Sequence, residues 1–400
     1  MVADRIDALD TLWERLGISR ASRRGLTARL GHAHVLLTGL LPHEVAFLRG
    51  FEDPRTALVL GDGEGRSDAA AISGTRSGLT TLADTAGESG LGELGVALHA
   101  ALGVDVAPTP TPLGGRLFAW GERTYLMGVL NVTPDSSSDG GKFSSVEAAV
   151  RQGEALIAAG ADLLDVGGES TRPGAEAVPE SVELERILPV LARLAGQVPL
   201  SVDTRKASVA RAALAAGAAM VNDVSGLRHD PELAAVVAAA RAGLCVMHMQ
   251  GTPATMQDDP RYDDLMAEVI GALGTAVEAA VAAGVLRAAV WVDPGIGFGK
   301  TTGHNLFLLR HLRELRVLDA PVVVGTSRKR FLGELAGGRP PEQRLPGTVA
   351  SNVAAAILGG ADVVRVHDVA EVREALAVAD ALVRARDGGA SWVPPSPSRP

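Results

Sequence analysis

Residues 199–223, PLSVDTRKASVARAALAAGAAMVND, contain one complete structural repeat of this chain. The apolar run PLSV ends in the polar group DTRK, and an alanine-rich segment with helical spacing leads to a second apolar run, AMVN. Strands that alternate with helices pair in parallel, and strands with continuous apolar residues are buried on both faces. The stretch therefore predicts a β-α-β unit of a parallel sheet, with polar side chains at the carboxyl end of each strand.

The same pattern extends over most of the chain. Apolar runs that precede segments with helical spacing lie at 125–130, 162–166, 199–202, 219–222, 244–247, 289–293, 321–325 and 362–366. Eight such units in about 270 residues match the size of a (β/α)8 TIM barrel, which we predict over 116–385. A doubly wound open sheet is the alternative, because periodicity does not show whether a sheet closes.

The segments outside the eight units differ in composition. Residues 1–103 contain two short apolar runs and one segment with helical spacing, so we predict a small N-terminal α/β domain, whose role stays open. Residues 104–115, VDVAPTPTPLGG, alternate proline with small residues, as linkers do. RLFAW (116–120) is predicted to be a hairpin strand at the N-terminal mouth of the barrel. Residues 386–400 are rich in Gly, Ser and Pro, and we expect a disordered tail.

Composition and charge exclude several classes of function. Of the 400 residues, 46% are hydrophobic but 3% are aromatic, so Ala, Val and Leu must build most of the core. The single cysteine, Cys245, excludes a disulfide framework, and its apolar surroundings favour a buried thiol over a nucleophile. The net charge of -9 gives no general attraction for nucleic acid, and no uncharged apolar run is long enough to span a membrane. The first residues, MVADRIDALD, lack a signal-peptide pattern, so we expect a cytoplasmic protein.

Polar residues follow every apolar run at its carboxyl end, where TIM barrels carry their active sites. We call the segments that follow the carboxyl ends of the runs the exits. In chain order they read NVTPDSSSDGG, GGESTRPGA, DTRK, ND, HMQGTP, DPGIGFGK, TSRK and RVHD. The opposite ends do not show this enrichment. The one-sided distribution predicts an active site at the carboxyl ends of the strands.

Some of these polar residues also have a structural explanation. Asp203 and Asp223 directly follow strands, where an aspartate commonly caps a helix. Asp293 is followed by Pro-Gly, so no helix begins there and a role in a site is favoured. Arg365 and His367 are two residues apart, so both side chains point to the same side of a strand. Together they are suited to bind an anion.

Ser327 is a candidate N-cap for a helix that Arg328 and Lys329 begin. Such a helix would present free backbone amides to a carboxylate or phosphate.

Two glycine-rich segments resemble nucleotide-binding loops without their spacing. GIGFGKTT (295–302) is one residue too short for a P-loop, and GDGEGR (61–66) has Arg in place of the third Gly of a dinucleotide loop. Cysteine and histidine do not occur at zinc spacing. The oxygen-rich set Asn131, Asp135 and Asp139 instead favours Mg²⁺, which prefers oxygen ligands and binds substrate phosphates.

Assembled in this order, the segments resemble the dihydropteroate synthase family over about residues 115–385. The motifs that carry the resemblance are MGVLNVTPDSSSDGG (127–141), DVGGESTRPGA (165–175), SVDTRK (201–206), NDVSG (222–226), MHMQGTP (247–253), DPGIGFGKTTGHN (293–305), GTSRK (325–329) and RVHDV (365–369). The resemblance implies a (β/α)8 fold, a homodimer, and transfer of a pterin from 6-hydroxymethyl-7,8-dihydropterin pyrophosphate to para-aminobenzoate through an SN1-like cation. Mg²⁺ and fixed cations would stabilise the charge that develops on the leaving pyrophosphate.

The resemblance also implies a role for individual residues. Mg²⁺ would be held by Asn131 and Asp139, and the diphosphate by Asn131, Arg365 and His367. The pterin would contact Asp203, Asn222, Met247, Asp293, Phe298, Lys329 and Arg365. The aminobenzoate would contact Thr171, Arg172, Pro173 and Ser327. The catalytic residues would be Asp203, Lys329, Arg365 and His367.

One position departs from the family pattern, and two other functions stay open. The first loop has Ser137 where the family usually carries a Phe that covers the aminobenzoate ring, so we expect a tolerated change with altered affinity, and an altered acceptor or a weakened enzyme is the alternative. Sulfonamide sensitivity is expected from the aminobenzoate site. A methyltetrahydrofolate-dependent methyltransferase of the same fold would not be expected to carry the SRK and NVTPDS segments. A non-catalytic pterin-binding paralogue is disfavoured because Asp139, Arg172 and Lys329 are retained.

Overall fold

The computed structural model describes residues 2–3, 32–37, 39–60, 69–95, 98, 108–132, 142–170, 177–358 and 360–384. The chain divides into two compact units, Met1–Val106 and Ala107–Pro400. The predicted tail at 386–400 lies outside the described residues.

The N-terminal unit is built on an antiparallel four-stranded sheet. In chain order its strands are Val2–Ala3, His32–Leu37, Thr56–Leu60 and Ala70–Thr75, and the last of these pairs with both the second and the third. The helices are Pro42–Gly50 and Arg76–Glu88. Apolar side chains of the sheet and both helices form one core, including Val35, Leu48, Ile72, Leu79 and Leu82. This arrangement agrees with the predicted small α/β domain.

The second unit contains eight parallel strands. In chain order they are β1 (Tyr125–Asn131), β2 (Leu163–Gly167), β3 (Leu200–Asp203), β4 (Met220–Asp223), β5 (Gly243–Met247), β6 (Val290–Asp293), β7 (Val323–Val324) and β8 (Val363–Val366). The pairing order is β6-β5-β4-β3-β2-β1-β8-β7, and a bridge between Val292 and Val322 joins the two edges. Because the sheet closes, the predicted TIM barrel is confirmed and the open sheet is excluded.

Helices cover the outside of the barrel strands. They are Lys142–Ala158, Glu180–Leu194, Ala207–Ala215, Leu233–Ala239, Leu265–Ala282, Thr302–Arg310, Arg330–Leu335, Leu345–Ile357 and Val369–Arg384. Leu265–Ala282 has 18 residues and a mean hydropathy of 1.6, enough by length and composition to cross a membrane. It contains Glu268 and Glu278, and its side chains Val269 and Leu273 belong to the barrel core. We therefore assign it as a core helix of the barrel.

A two-stranded hairpin lies across the N-terminal mouth of the barrel. Thr111–Leu113 pairs with Arg116–Phe118, so the predicted linker at 104–115 differs from the structure in its last part. The reason is burial: Trp291 of β6 donates a hydrogen bond from Nε1 to Thr111 Oγ1 at 3.2 Å. Its ring also lies 5.6 Å from that of Phe118 and 5.2 Å from that of Trp120. Phe118, Trp120 and Trp291 thus close the end opposite to the polar exits.

Candidate active site

Buried polar side chains lie at the carboxyl ends of the barrel strands. Asp203 of β3, Asn222 of β4 and Asp293 of β6 are at most 6% exposed. Parallel strands of a closed barrel present all their carboxyl ends at one mouth, so these side chains converge although they are far apart in sequence.

An ion network spans the centre of this mouth. Arg365 of β8 donates from Nε to Asp165 Oδ2 at 2.7 Å and from Nη2 to Asp203 Oδ2 at 3.1 Å. Asn222 Nδ2 donates to the same Asp165 oxygen at 2.9 Å. Four strands are thereby linked across the barrel, and the guanidinium plane and the amide orientation are fixed by protein contacts.

Burial changes the pKa values of the charged groups in this network. Burial raises the pKa of Asp203 to about 8; the carboxylate of Asp165 acts in the same direction and Arg365 opposes it. Burial alone would lower the pKa of Arg365, but the carboxylates of Asp165 and Asp203 raise it above its ordinary value. Arg365 is therefore a fixed cation, whereas Asp203 can bind a proton near neutral pH.

Two carboxylate oxygens of the network lack a donor in the part of the chain that the structure describes. Asp165 Oδ1 and Asp203 Oδ1 are buried and have no hydrogen-bond partner among the described residues. A buried acceptor left unpaired costs about 1–3 kcal/mol, so the site gains when a ligand N–H meets it. Since Asn222 uses its Nδ2 on Asp165, its amide oxygen remains available as a further acceptor.

A second group of side chains lies at the exits of β6 and β7. Asp293 Oδ1 accepts from the backbone N–H of Gly295 at 2.7 Å; burial raises the pKa of Asp293 and Lys329 opposes that shift. Burial also lowers the pKa of Lys329 to about 8. Its Nζ donates to Ile296 O and lies 4.7 Å from the centroid of the Phe298 ring, which packs against a cluster that contains Met247. A polar edge thus lies beside an apolar wall, an arrangement that suits a flat ring with hydrogen-bonding groups.

Ser327 is not the N-cap that the sequence predicts. Helix Arg330–Leu335 begins after Lys329, because Arg328 has a φ of 58°, outside the helical region. Ser327 Oγ instead accepts from the backbone N–H of His367 at 3.2 Å and lies 3.0 Å from its Nδ1. Ser327 therefore orients the imidazole at the exit of β8, and this short helix presents no N-terminal anion site at Ser327.

The helix-cap explanation for Asp203 and Asp223 is also excluded. Helix Ala207–Ala215 begins after Lys206, and the backbone N–H of Ala207 donates to Asp230 Oδ2 at 2.8 Å. Asp223 accepts from turn amides, those of Ser225 at 2.8 Å and Leu227 at 2.6 Å.

Part of the predicted site lies outside the described residues, namely Asp135, Ser137, Asp139, Thr171, Arg172 and Pro173. Asn131 is described: it is the last residue of β1, half-buried, and aligned with Gly167 of β2. Within the described ranges no group of three or more His, Cys, Asp and Glu could hold a metal ion. Of the two predicted Mg²⁺ ligands, the structure therefore places Asn131.

The sequence reasoning missed Asp165. It lies inside an apolar run, fully buried, and two residues before the end of its strand. A carboxylate that interrupts a buried strand needs a cationic or hydrogen-bonding partner, and this signal was present in DLLDV.

Comparison with known proteins agrees with this geometry. A family model described as "Pterin binding enzyme" matches residues 127–367. The chain is 48% identical over 282 residues to the dihydropteroate synthase of Synechocystis sp., covering 70% of this chain and 97% of the relative. It is 44% identical over 281 residues to the Escherichia coli enzyme of that name, covering 68% of this chain and 98% of the relative.

Solved structures give the same result. The Xanthomonas albilineans dihydropteroate synthase with 4-aminobenzoic acid is 48% identical, with a TM-score of 0.65 over 70% of this chain and 100% of that one. The same enzyme in complex with 7,8-dihydropteroate is 46% identical, with a TM-score of 0.63 and the same coverage of both chains. The barrel, the family model and the identity to full-length relatives together show that this chain belongs to the pterin-binding enzyme family, as one of its dihydropteroate synthases.

Proposed function

We propose that this chain condenses 6-hydroxymethyl-7,8-dihydropterin pyrophosphate with para-aminobenzoate, giving 7,8-dihydropteroate and pyrophosphate in folate biosynthesis. The observation that carries the proposal is the set of buried Asp203, Asn222, Asp293 and half-buried Lys329 at one barrel mouth. The edge of a pterin ring presents an amino group and ring N–H donors beside a carbonyl oxygen. Three side chains that accept hydrogen bonds and one that donates are complementary to that edge.

Each of these residues has a separate task in holding the pterin. Asp203 Oδ1, which has no partner among the described residues, accepts a pterin N–H, and the amide oxygen of Asn222 and the carboxylate of Asp293 accept others. Lys329 donates to the ring carbonyl or a ring nitrogen. Arg365, held in place by Asp165, lies against the ring face, where its charge interacts with the π system.

The reaction depends on departure of pyrophosphate, because an arylamine is a weak nucleophile. A pterin-methyl cation develops as the bond to the diphosphate breaks, and the amine of aminobenzoate then forms the new bond and loses a proton. Arg365, His367 and Asn131 bind the diphosphate, so that its negative charge is stabilised in the transition state. Met247 and Phe298 exclude water, which would otherwise capture the cation as an alcohol.

Asn131 and Asp139 are the residues that would hold Mg²⁺. Asn131 offers an amide oxygen at the barrel mouth, and oxygen is the ligand that Mg²⁺ prefers. When bound, the ion neutralises charge on the diphosphate.

The second substrate lies on the outer side of the pterin. Ser327, together with Thr171, Arg172 and Pro173, contacts the aminobenzoate. Ser137 replaces an aromatic cover over this ring, and sulfonamides compete for the same position. We further propose a homodimer in the cytoplasm.

Pyrophosphate release tests the proposal. With Mg²⁺ and the pterin pyrophosphate present, addition of para-aminobenzoate is expected to accelerate release and to yield dihydropteroate. Release that does not depend on aminobenzoate would contradict the synthase reaction, whereas binding of the pterin pyrophosphate without any release would favour a non-catalytic pterin-binding paralogue.

Lys329→Met and Arg330→Met form a matched pair of variants for the same assay. Lys329 contacts Ile296 and Phe298 at the site, whereas the Arg330 side chain is 70% exposed and pairs with Glu334. Loss of the Lys329 cation is expected to lower kcat/KM about 100-fold or more, as for other single donors to a reacting group. The Arg330 variant is expected to keep the wild-type value.

A further inference from the structure

The loop after β6 packs directly on the loop after β5, backbone against backbone. Gly295 has a φ of 69°, and a Cβ at that position would lie 1.9 Å from His248 O. Gly299 has a φ of 60°, and a Cβ there would lie 2.7 Å from Gln250 O. Both glycines are needed for this close approach of the two backbones, which explains Gly295 and Gly299 of the GIGFGK segment that resembles a P-loop.

Lys300, the last residue of that segment, joins the two loops. It is 2% exposed. Its Nζ lies 2.9 Å from His248 Nδ1 and donates to Phe298 O at 3.0 Å and to His248 O at 3.4 Å. All three partners are uncharged acceptors from protein, and burial lowers the pKa of Lys300 to about 7, so this amine is used within the fold and is not kept as a full cation for a phosphate.

His248 is suited to accept from Lys300. Burial, followed by the charge of Lys300, lowers the pKa of His248 to about 3, so the ring is neutral and Nδ1 carries a lone pair. Tyr262 adds a second link, because its hydroxyl donates to Gly299 O at 2.7 Å while its ring lies 6.0 Å from that of His248. The contacts of Lys300 and Tyr262 therefore hold the loop after β5 against the loop after β6, and we call this set of contacts the joint.

The residues held by this joint line the space proposed for the pterin ring, which we call the pterin slot. Phe298, whose carbonyl accepts from Lys300, lies under the Nζ of Lys329 at 4.7 Å from its ring centroid. Met247, which immediately precedes His248, belongs to the apolar cluster against which Phe298 packs.

We propose that Lys300 is a positioning residue for pterin binding: by joining His248 to Phe298 it fixes the distance between the β5 and β6 loops and thereby the width of the slot. It acts through Phe298 and Met247 and does not itself contact the substrate. Because the assignment rests on the proposed function, its test measures binding as well as turnover.

Lys300→Met keeps the length of the side chain and removes all three hydrogen bonds. The dissociation constant of the pterin pyrophosphate, measured by calorimetry without aminobenzoate, is expected to rise about tenfold, which is comparable to the loss of one or two of the three hydrogen bonds. The KM for this substrate is expected to rise by the same factor, with the KM for aminobenzoate and kcat changed by less than about twofold.

Two His248 variants provide a test that does not require Lys300 to be replaced. His248→Asn keeps an acceptor near the position of Nδ1, whereas His248→Phe keeps the ring and removes the acceptor. Pterin affinity is expected to fall in His248→Phe and to be largely retained in His248→Asn. In the double variant with Lys300→Met, the loss is expected to be smaller than the sum of the single losses, because the two residues share one contact.

Unchanged pterin affinity in Lys300→Met would overturn the assignment, and so would equal increases in both KM values. Equal affinity of His248→Asn and His248→Phe would overturn it in the same way, even if Lys300→Met does not fold. A wild-type protein that binds the pterin but shows no aminobenzoate-dependent turnover would contradict the proposed function alone.

Discussion

Replacing Asp165 with asparagine tests whether the ion network sets the geometry of the pterin site. Asp165 Oδ2 accepts at 2.7 Å from Arg365 Nε and at 2.9 Å from Asn222 Nδ2. Asparagine keeps the shape but replaces the charged acceptor with a neutral amide oxygen, so the guanidinium group loses its hydrogen bond to a carboxylate. Such a bond contributes about 1.5–3 kcal/mol, which corresponds to a kcat/KM for the pterin substrate lower by roughly 10- to 150-fold.

The assay is steady-state release of pyrophosphate at saturating aminobenzoate, with the pterin pyrophosphate varied. Asp162→Asn is the matched control, because Asp162 immediately precedes the first residue of the same strand. It accepts from Arg123 Nη1 at 2.8 Å and from the backbone N–H of Leu126 at 2.9 Å. Both variants are expected to lose stability, but kcat/KM of Asp162→Asn is expected to stay within about twofold of wild type, since distant sites act independently.

Equal losses of kcat/KM in the two variants would refute the reasoning, because they would trace the effect to stability. A wild-type kcat/KM in Asp165→Asn would refute it as well. Combination with Arg365→Met adds a further check: since Asp165 acts largely through Arg365, the two losses are expected not to add.

The other predictions concern buried charged groups, a surface ion pair and the thiol. Because the folded-state pKa of Asp203 is raised to about 8, pterin binding to its carboxylate releases a proton. The affinity measured by calorimetry is therefore expected to rise with pH up to about 8, and Asp203→Asn is expected to flatten that rise. The same pKa shift makes the wild-type free energy of unfolding fall as the pH rises from 3.8 to about 8, because the folded state binds more protons than the unfolded state. Lys206→Met leaves buried Glu183 without the ammonium at 2.7 Å and is expected to lower the free energy of unfolding in urea by about 3–5 kcal/mol. Arg193→Ala, in a pair that is about half exposed, is expected to leave the free energy of unfolding almost unchanged. Cys245 is buried with a raised pKa, so a thiol reagent is expected to label it only after denaturation.

Much of the barrel could be predicted from local patterns. Each predicted apolar run overlaps a strand; for example, the run at 125–130 corresponds to Tyr125–Asn131, and the run at 289–293 to Val290–Asp293. The pattern is strong because a strand buried on both faces admits few polar residues, and the residue at which it leaves the sheet is free to be polar. The same rule indicated Asp203, Asn222, Asp293 and Arg365, which the structure places at one mouth.

Local patterns failed where a contact joins distant parts of the chain. Ser327 reads as a helix cap, but its hydroxyl is directed to His367, forty residues away. Thr111 reads as part of a linker, yet it is buried by its contact with Trp291.

The sequence by itself determined the order of strands and helices, the end of the barrel that carries polar groups, and the family, because these depend on residue types at short spacing. Only the tertiary structure decided that the sheet closes, through the bridge between Val292 and Val322. It alone decided that Asp165 orients Arg365, and that Lys300 joins two loops and does not serve a phosphate. The physical reason is common to all three: a buried polar group or an unpaired strand edge is stable only with a partner, and in each case at least one partner comes from a different β-α unit.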